Sequence, residues 1–422
     1  MLRYIGSVTA LALFMVACGG GGGNGGNTGP PAADFSVTLS ASSLSASVGS
    51  STSPLVIAIK RVNGFSGAVS IALKGLPNGV TILPSPTFSL LPGESQSVTF
   101  SLADNAAVGP ASITVAASNG GQSSSAQFEI SAESIVRTYQ IGSRLYLESA
   151  TAADTARIGL ETTWGGSIVE LSVNGTEYVN RHDTGREVQP AFRSSTDSNW
   201  NPTLAGDSYD RGTPLIDQLV TANSIYIKAQ PLQWTPDPFG GGPGHTIAGD
   251  MLVEQTVTAV ADSPHTFKVH YKITHLGNDY HGTDSGQEFL AVYTNRDYAT
   301  FVSYQGPTPW SNDAPTMKQF PLLGMHHGSA TVTEPWGALV DNRGIGLTVY
   351  APDSGLGYIG FIAADPNSSN GPEDNATNYF AAITMWTIGP AFVTEADFYL
   401  IAGDYHTARS IVYRLRKTQP VT

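Results

Sequence analysis

Short runs in which apolar and small polar side chains alternate, each closed by a glycine, proline or asparagine turn, recur along nearly the whole chain and constrain its fold more than any other feature. Phe35-Val37-Leu39, Val69-Ile71-Leu73, Val98-Phe100-Leu102 and Ile113-Val115 repeat every second residue, the period of a half-buried strand. Asn63-Gly64, Pro77-Asn78-Gly79, Pro92-Gly93 and Asn119-Gly120-Gly121 punctuate them. With 46 glycines and 26 prolines among 422 residues, long helices are excluded almost everywhere. Only the end differs. Asp404 can cap a helix whose Ala408, Val412 and Leu415 share a face, with Arg414, Arg416 and Lys417 near its C-terminal end. The expected class is all-β with a short C-terminal helix.

A formal charge of -13 offers nothing to a phosphate backbone, and no basic run is present, so nucleic acid is excluded as a partner. The single cysteine, Cys18, rules out an intrachain disulfide and any cysteine-based metal site. Arg3, the apolar stretch Tyr4 to Val16, and Met15-Val16-Ala17-Cys18 together resemble a bacterial lipoprotein signal with its lipobox. That resemblance implies that residues 1–18 form the signal and lipobox, that Cys18 is the lipidated mature N-terminus, and that Gly19 after it directs the protein to the outer membrane. Residues 19–33, rich in glycine, are expected to form a flexible tether.

Residues 34–132 contain no His, Trp or Tyr. Their phrases FSGAVSIALKGLPNGVTILPS and LLPGESQSVTFSLADNAAVGPASITVAAS resemble bacterial immunoglobulin-like modules, which implies a sandwich acting as a spacer. Glu133 to Tyr139 reads as a hinge into a second domain, residues 135–417, which holds every His and Trp of the chain. There a Trp164-Gly165-Gly166 corner, the strand Ser167 to Val173 and an Asn174-Gly175 turn lead into the polar stretch NRHDTGREVQPAFRSSTDSNWNPTLAGD. This order resembles the entry to the galactose-mutarotase-like β-supersandwich, a superfamily of sugar epimerases, glycoside hydrolases and lyase domains. The resemblance implies a carbohydrate substrate or ligand and no cofactor.

The residues themselves suggest where such a ligand would sit. Asn180 to Asp207 concentrates charged and hydrogen-bonding groups in a chain only 13% charged. Asp183, Arg186 and Gln189 offer acceptors and a forked donor to sugar hydroxyls, although an internal Asp183–Arg186 ion pair is an equal and compatible reading. Glu288 precedes the apolar strand FLAVYT, where a scaffold can aim a carboxylate for acid or base work. His326 and Glu334 are a second pair of proton-transfer candidates, and Trp200, Trp234, Trp310 and Trp336 are candidate stacking platforms. Of the remaining histidines, His270 reads as solvated, and the spacing of His265, His275 and His281 matches no metal motif, so no metal site is expected. Glycosidic cleavage, with Glu288 and either Asp183 or Glu334 as the carboxyl pair, is the leading expectation. A lyase, an epimerase and a non-catalytic glycan-binding lipoprotein stay open beside it.

Overall fold

The structure, a computed structural model, describes residues 32–283, 285–319, 326–362 and 371–418. Cys18, the lipobox and nearly all of the tether lie outside them. The all-β expectation holds: the described chain is a succession of strands closed by one α-helix.

The first nine strands form a four-stranded and a five-stranded sheet around one apolar cluster. Alternation decides which side chains enter it. In Leu55–Val62, Leu55, Ile57 and Ile59 point inward while Val56 faces water. The strand ends at Asn63-Gly64, both at positive φ (49° and 80°), in a tight turn closed by the Phe65 N–H on the Val62 carbonyl (3.2 Å), a conformation that Asn and Gly tolerate.

From Ile135 onward a twelve-stranded and a nine-stranded sheet pack face to face. Asn174-Gly175 makes the expected tight turn, again at positive φ. The strand Ser285–Asn295 runs through the larger sheet with Val188–Ala191 on one side and Thr377–Trp386 on the other. It is covered on both faces, so its middle, Phe289 to Val292, is continuously apolar rather than alternating, and the polar residues at its ends are buried as well. Phe289 fills the space between the sheets, with ring centroids 4.7 Å from Trp386, 5.0 Å from Phe398 and 5.2 Å from Tyr271.

Two details differ from the sequence reading. The segment read as a hinge is not loose. The strand Gln122–Glu133 is followed after one residue by the strand Ile135–Ile141, and the intervening Ser134 is buried. Its N–H donates to the Ala261 carbonyl (2.8 Å), and its hydroxyl lies 2.6 Å from that of Ser149. The helix Tyr405–Thr418 is where Asp404 placed it, with the Thr407 N–H donating to the Asp404 carboxylate at 2.9 Å. Its buried face contains not only Ala408, Val412 and Leu415 but also Arg409, whose role emerges below.

Candidate functional site

The turn from Asn180 to Glu187 is held from beneath. Buried Asn180 donates from its side chain to the Asp374 carbonyl (2.9 Å), and its N–H donates to the Tyr293 carbonyl (2.9 Å). Asp183 then closes a local turn by accepting from the Gly185 N–H at 3.0 Å. Its other oxygen lies 3.2 Å from the Arg186 guanidinium, which also donates to the Asn375 carbonyl at 2.7 Å. The internal Asp183–Arg186 ion pair is present, and both residues line a pocket. At Gly185 a Cβ would come within 2.5 Å of the Trp234 ring. The absence of a side chain there lets the six-membered ring of the indole come close to the backbone.

The pocket encloses about 240 Å³, bounded by Asp183, Arg186, Arg193, Trp234, Glu288 and Tyr293 among others. Since pockets for drug-sized ligands run roughly 300–1,000 Å³, this one has room for no more than about one ring-sized group. Register explains the convergence of residues a hundred positions apart. Gln189 pairs with Ala291 and Ala191 with Glu288, so the loop after Val188–Ala191 starts beside the Glu288 carboxylate. Gln287 then clamps that loop, accepting from the Arg193 N–H (2.8 Å) and donating to the Arg193 carbonyl (2.9 Å). Thus positioned, the half-exposed Arg193 guanidinium forms an ion pair with the nearly buried Glu288. Gln189 is committed to structure, accepting from the Ala205 N–H at 2.7 Å and donating to the Thr184 carbonyl.

Directly behind the lining lies Glu187, fully buried, with its carbonyl bonded to the Tyr293 N–H. Neither carboxylate oxygen closes a well-formed hydrogen bond among the described residues. Burial pushes its carboxyl well above the ordinary value, and the Asp183 charge adds to the rise. Tyr379, beside Tyr293 at a ring distance of 4.8 Å, is likewise raised by burial and then by the Glu288 charge. The sequence places Arg193 and Glu187 in the polar stretch without giving either a role at the site, and it gives no sign of Tyr293 or Tyr379.

The other candidates lie elsewhere. The backbone of His326 starts the edge strand His326–Thr331, three strands from Ser285–Asn295 and hence roughly 14 Å across the sheet. Its side chain is outside the described residues. Glu334 and Trp336 correct the expectation of a shared cleft. Glu334 is fully buried beneath the C-terminal helix and accepts from Arg409, Tyr413, the Trp336 indole and the Trp310 backbone. Five donors occupy it, leaving no lone pair for a substrate. Trp310 covers the same network and stacks under Arg416, with the guanidinium 4.2 Å from the ring centroid. Trp200 is buried as well, its indole donating to Asp250 at 2.7 Å. Of the four tryptophans, only Trp234 lines the pocket.

One grouping runs against the expectation of no metal site: Asp250, His275, Asp279 and His281 bring a ligating atom each to within 4.8 Å of one another.

No family model matches the sequence, and no curated protein matches it. Among solved structures it is similar to the Slr1438 protein from Synechocystis sp. PCC 6803, at 12% identity and a TM-score of 0.38 over 63% of this chain and 99% of that one. It is similar to a candidate aldose 1-epimerase from Klebsiella pneumoniae, at 11% identity and a TM-score of 0.38, covering 73% of this chain and 88% of that one. A candidate mutarotase, YeaD, from Salmonella typhimurium gives 10% identity and a TM-score of 0.39 over 64% and 94%. At that overlap no residue is carried across, and the site stands on its own geometry.

Proposed function

We propose that the pocket between Asp183 and Glu288 is a carbohydrate site and that the protein cleaves glycosidic bonds at the bacterial cell surface. The carrying observation is the convergence of two arginine–carboxylate pairs, Asp183–Arg186 and Glu288–Arg193, and one aromatic face, Trp234, around a cavity of one ring's size. Forked donors and carboxylates match vicinal hydroxyls, while an indole covers the apolar face of a sugar ring. Glu288 and Asp183 are the carboxyl pair in this reading, since Glu334 is consumed by its own network.

A non-catalytic glycan-binding role is the second reading, favoured by the internal pairing of both carboxylates. The two separate in one experiment on the purified protein against a polysaccharide panel, scoring reducing ends, unsaturated uronates and binding. Glu288→Gln is expected to retain binding and lower turnover by about 10²–10⁴-fold, the usual share of a general acid or base. Arg193→Ala is expected to weaken binding. Turnover unaffected by Glu288→Gln overturns the catalytic assignment, and wild type that binds without turnover establishes the second reading.

We also propose that the chain is an outer-membrane lipoprotein anchored through Cys18, which accounts for its only thiol. Mass spectrometry of protein from the membrane fraction is expected to find an N-terminus at Cys18 carrying acyl chains. An unmodified Cys18 there sinks the anchor.

A further inference from the structure

Away from the pocket's ligand, and independent of what that ligand is, a second site is built where the strand Thr266–His275 ends. We propose that Asp250, His275, Asp279 and His281 form a structural transition-metal site of the zinc class. Its ligands come from the start of one strand, the end of the next and the loop that follows.

The distances are those of ligands around a shared centre. The Nε2 atoms of His275 and His281 face each other at 3.2 Å, and Asp250 Oδ2 lies 3.1 and 2.8 Å from them. The Asp279 oxygens lie 3.7 Å from His275 and 3.8 Å from His281. Tetrahedral zinc with bonds of roughly 2.0–2.2 Å separates its ligands by about 3.3–3.6 Å, and the five contacts bracket that spacing. Two imidazoles with two carboxylates suit zinc and its neighbours. Calcium and magnesium take oxygen ligands.

Proton bookkeeping points the same way. His275 Nδ1 is 2.8 Å from the Gly389 carbonyl and must donate to it, since a carbonyl can only accept. In the neutral ring, Nε2 then carries a bare lone pair, and it is aimed at a carboxylate oxygen and at another imidazole nitrogen. With His281 in its Nδ1–H tautomer, a cation between them would turn the lone pairs of the two Nε2 atoms and of Asp250 Oδ2 into a ligand set. The Nδ1 bond to a backbone carbonyl is also the usual way a metal-bound histidine is oriented.

The surroundings keep the centre clear. A Cβ at Gly277 would lie 2.7 Å from His275 Nε2, 2.5 Å from Asp279 Oδ1 and 3.0 Å from Asp250 Oδ2, so only glycine leaves these atoms room. Trp200 donates to Asp250 Oδ1, which turns Oδ2 inward, and its ring stacks on His281 at 3.7 Å. Through Trp200, and through the Ser195 N–H on the His281 carbonyl (3.1 Å), the ion would fasten the segment that brings Arg193 and Asn201 to the pocket. Asp279 is the exposed ligand and marks the side by which an ion enters.

The test uses the full chain without a histidine tag, stripped with chelator and titrated with zinc sulfate, with cobalt(II) as a spectroscopic probe. One equivalent is expected to bind, cobalt is expected to show the intense visible absorption of tetrahedral coordination, and zinc at a hundredfold excess over Kd is expected to raise Tm by about 5–10 °C. His281→Gln should weaken binding by at least ~100-fold, since loss of outer partners alone costs about 10–100-fold. Asp279→Ala, exposed and therefore harmless to folding, should weaken it at least tenfold and decides the matter if His281→Gln does not fold. Absence of a one-equivalent site, an octahedral cobalt spectrum, or affinity unchanged in Asp279→Ala overturns the proposal. Unchanged affinity would place the ion elsewhere.

Discussion

Glu334→Gln is expected to cost about 3–5 kcal/mol of stability, the range for removing one partner from a buried ion pair. Arg409 Nη2 and Nε donate to the two Glu334 oxygens at 2.8 and 3.0 Å, and neither side chain is appreciably exposed. The amide keeps the shape but cannot balance the guanidinium, and its NH2 group opposes donors where an oxygen accepted them. These donors, Arg409 foremost, hold the Glu334 carboxyl below its ordinary value despite burial. The sign follows: the stabilisation is present above the unfolded carboxyl's titration and is lost as pH falls through the lower folded value. Urea denaturation of the variant at neutral pH measures the loss, and a change below 1 kcal/mol would show the helix to be held by its apolar face alone.

Glu187→Gln is expected to act in the opposite direction, stabilising the protein increasingly as pH rises. Glu187 is raised by burial, so its contribution is fully present below the ordinary glutamate value, where folded and unfolded chains both carry the proton. Above that value only the unfolded chain ionises, and each further pH unit costs the folded state about 1.4 kcal/mol until Glu187 itself ionises. Glutamine has no such slope. Unfolding free energies of wild type and variant, measured at intervals from pH 5 to 8, should diverge with pH. Parallel curves would mean that Glu187 is ionised throughout and has a partner in solution.

The two predictions also mark where sequence reading succeeded and where it failed. Strands were legible because alternation is a local property: Leu55, Ile57 and Ile59 point inward for the same reason that they sit two residues apart. Turns were legible because Asn63-Gly64 and Asn174-Gly175 meet a backbone demand on the spot. The joining of Asp183 and Arg186 to Glu288 depended on sheet register, Ala191 opposite Glu288, which no local pattern encodes. Glu334 looked like a catalytic acid beside Trp336 because its real partner, Arg409, is 75 residues away on the helix. His275 and His281 failed the spacing test for a metal motif for a related reason. Asp250, which completes the group, arrives from the neighbouring strand, where Met251 pairs with His275.

The joint at Ser134 has a mechanical consequence. If the chain is pulled at its N-terminal side while a glycan is gripped at the pocket, load leaves the strand Gln122–Glu133 and enters the large sheet through Ile135–Ile141, its edge strand. That edge is bound to Arg144–Ala150 by a ladder of seven residue pairs, which must shear before the pull goes deeper. Four strands, Arg144–Ala150 the first of them, separate the edge from Ser285–Asn295 in the sheet order. Under such a pull the rim would yield before the bed in which Glu288 sits.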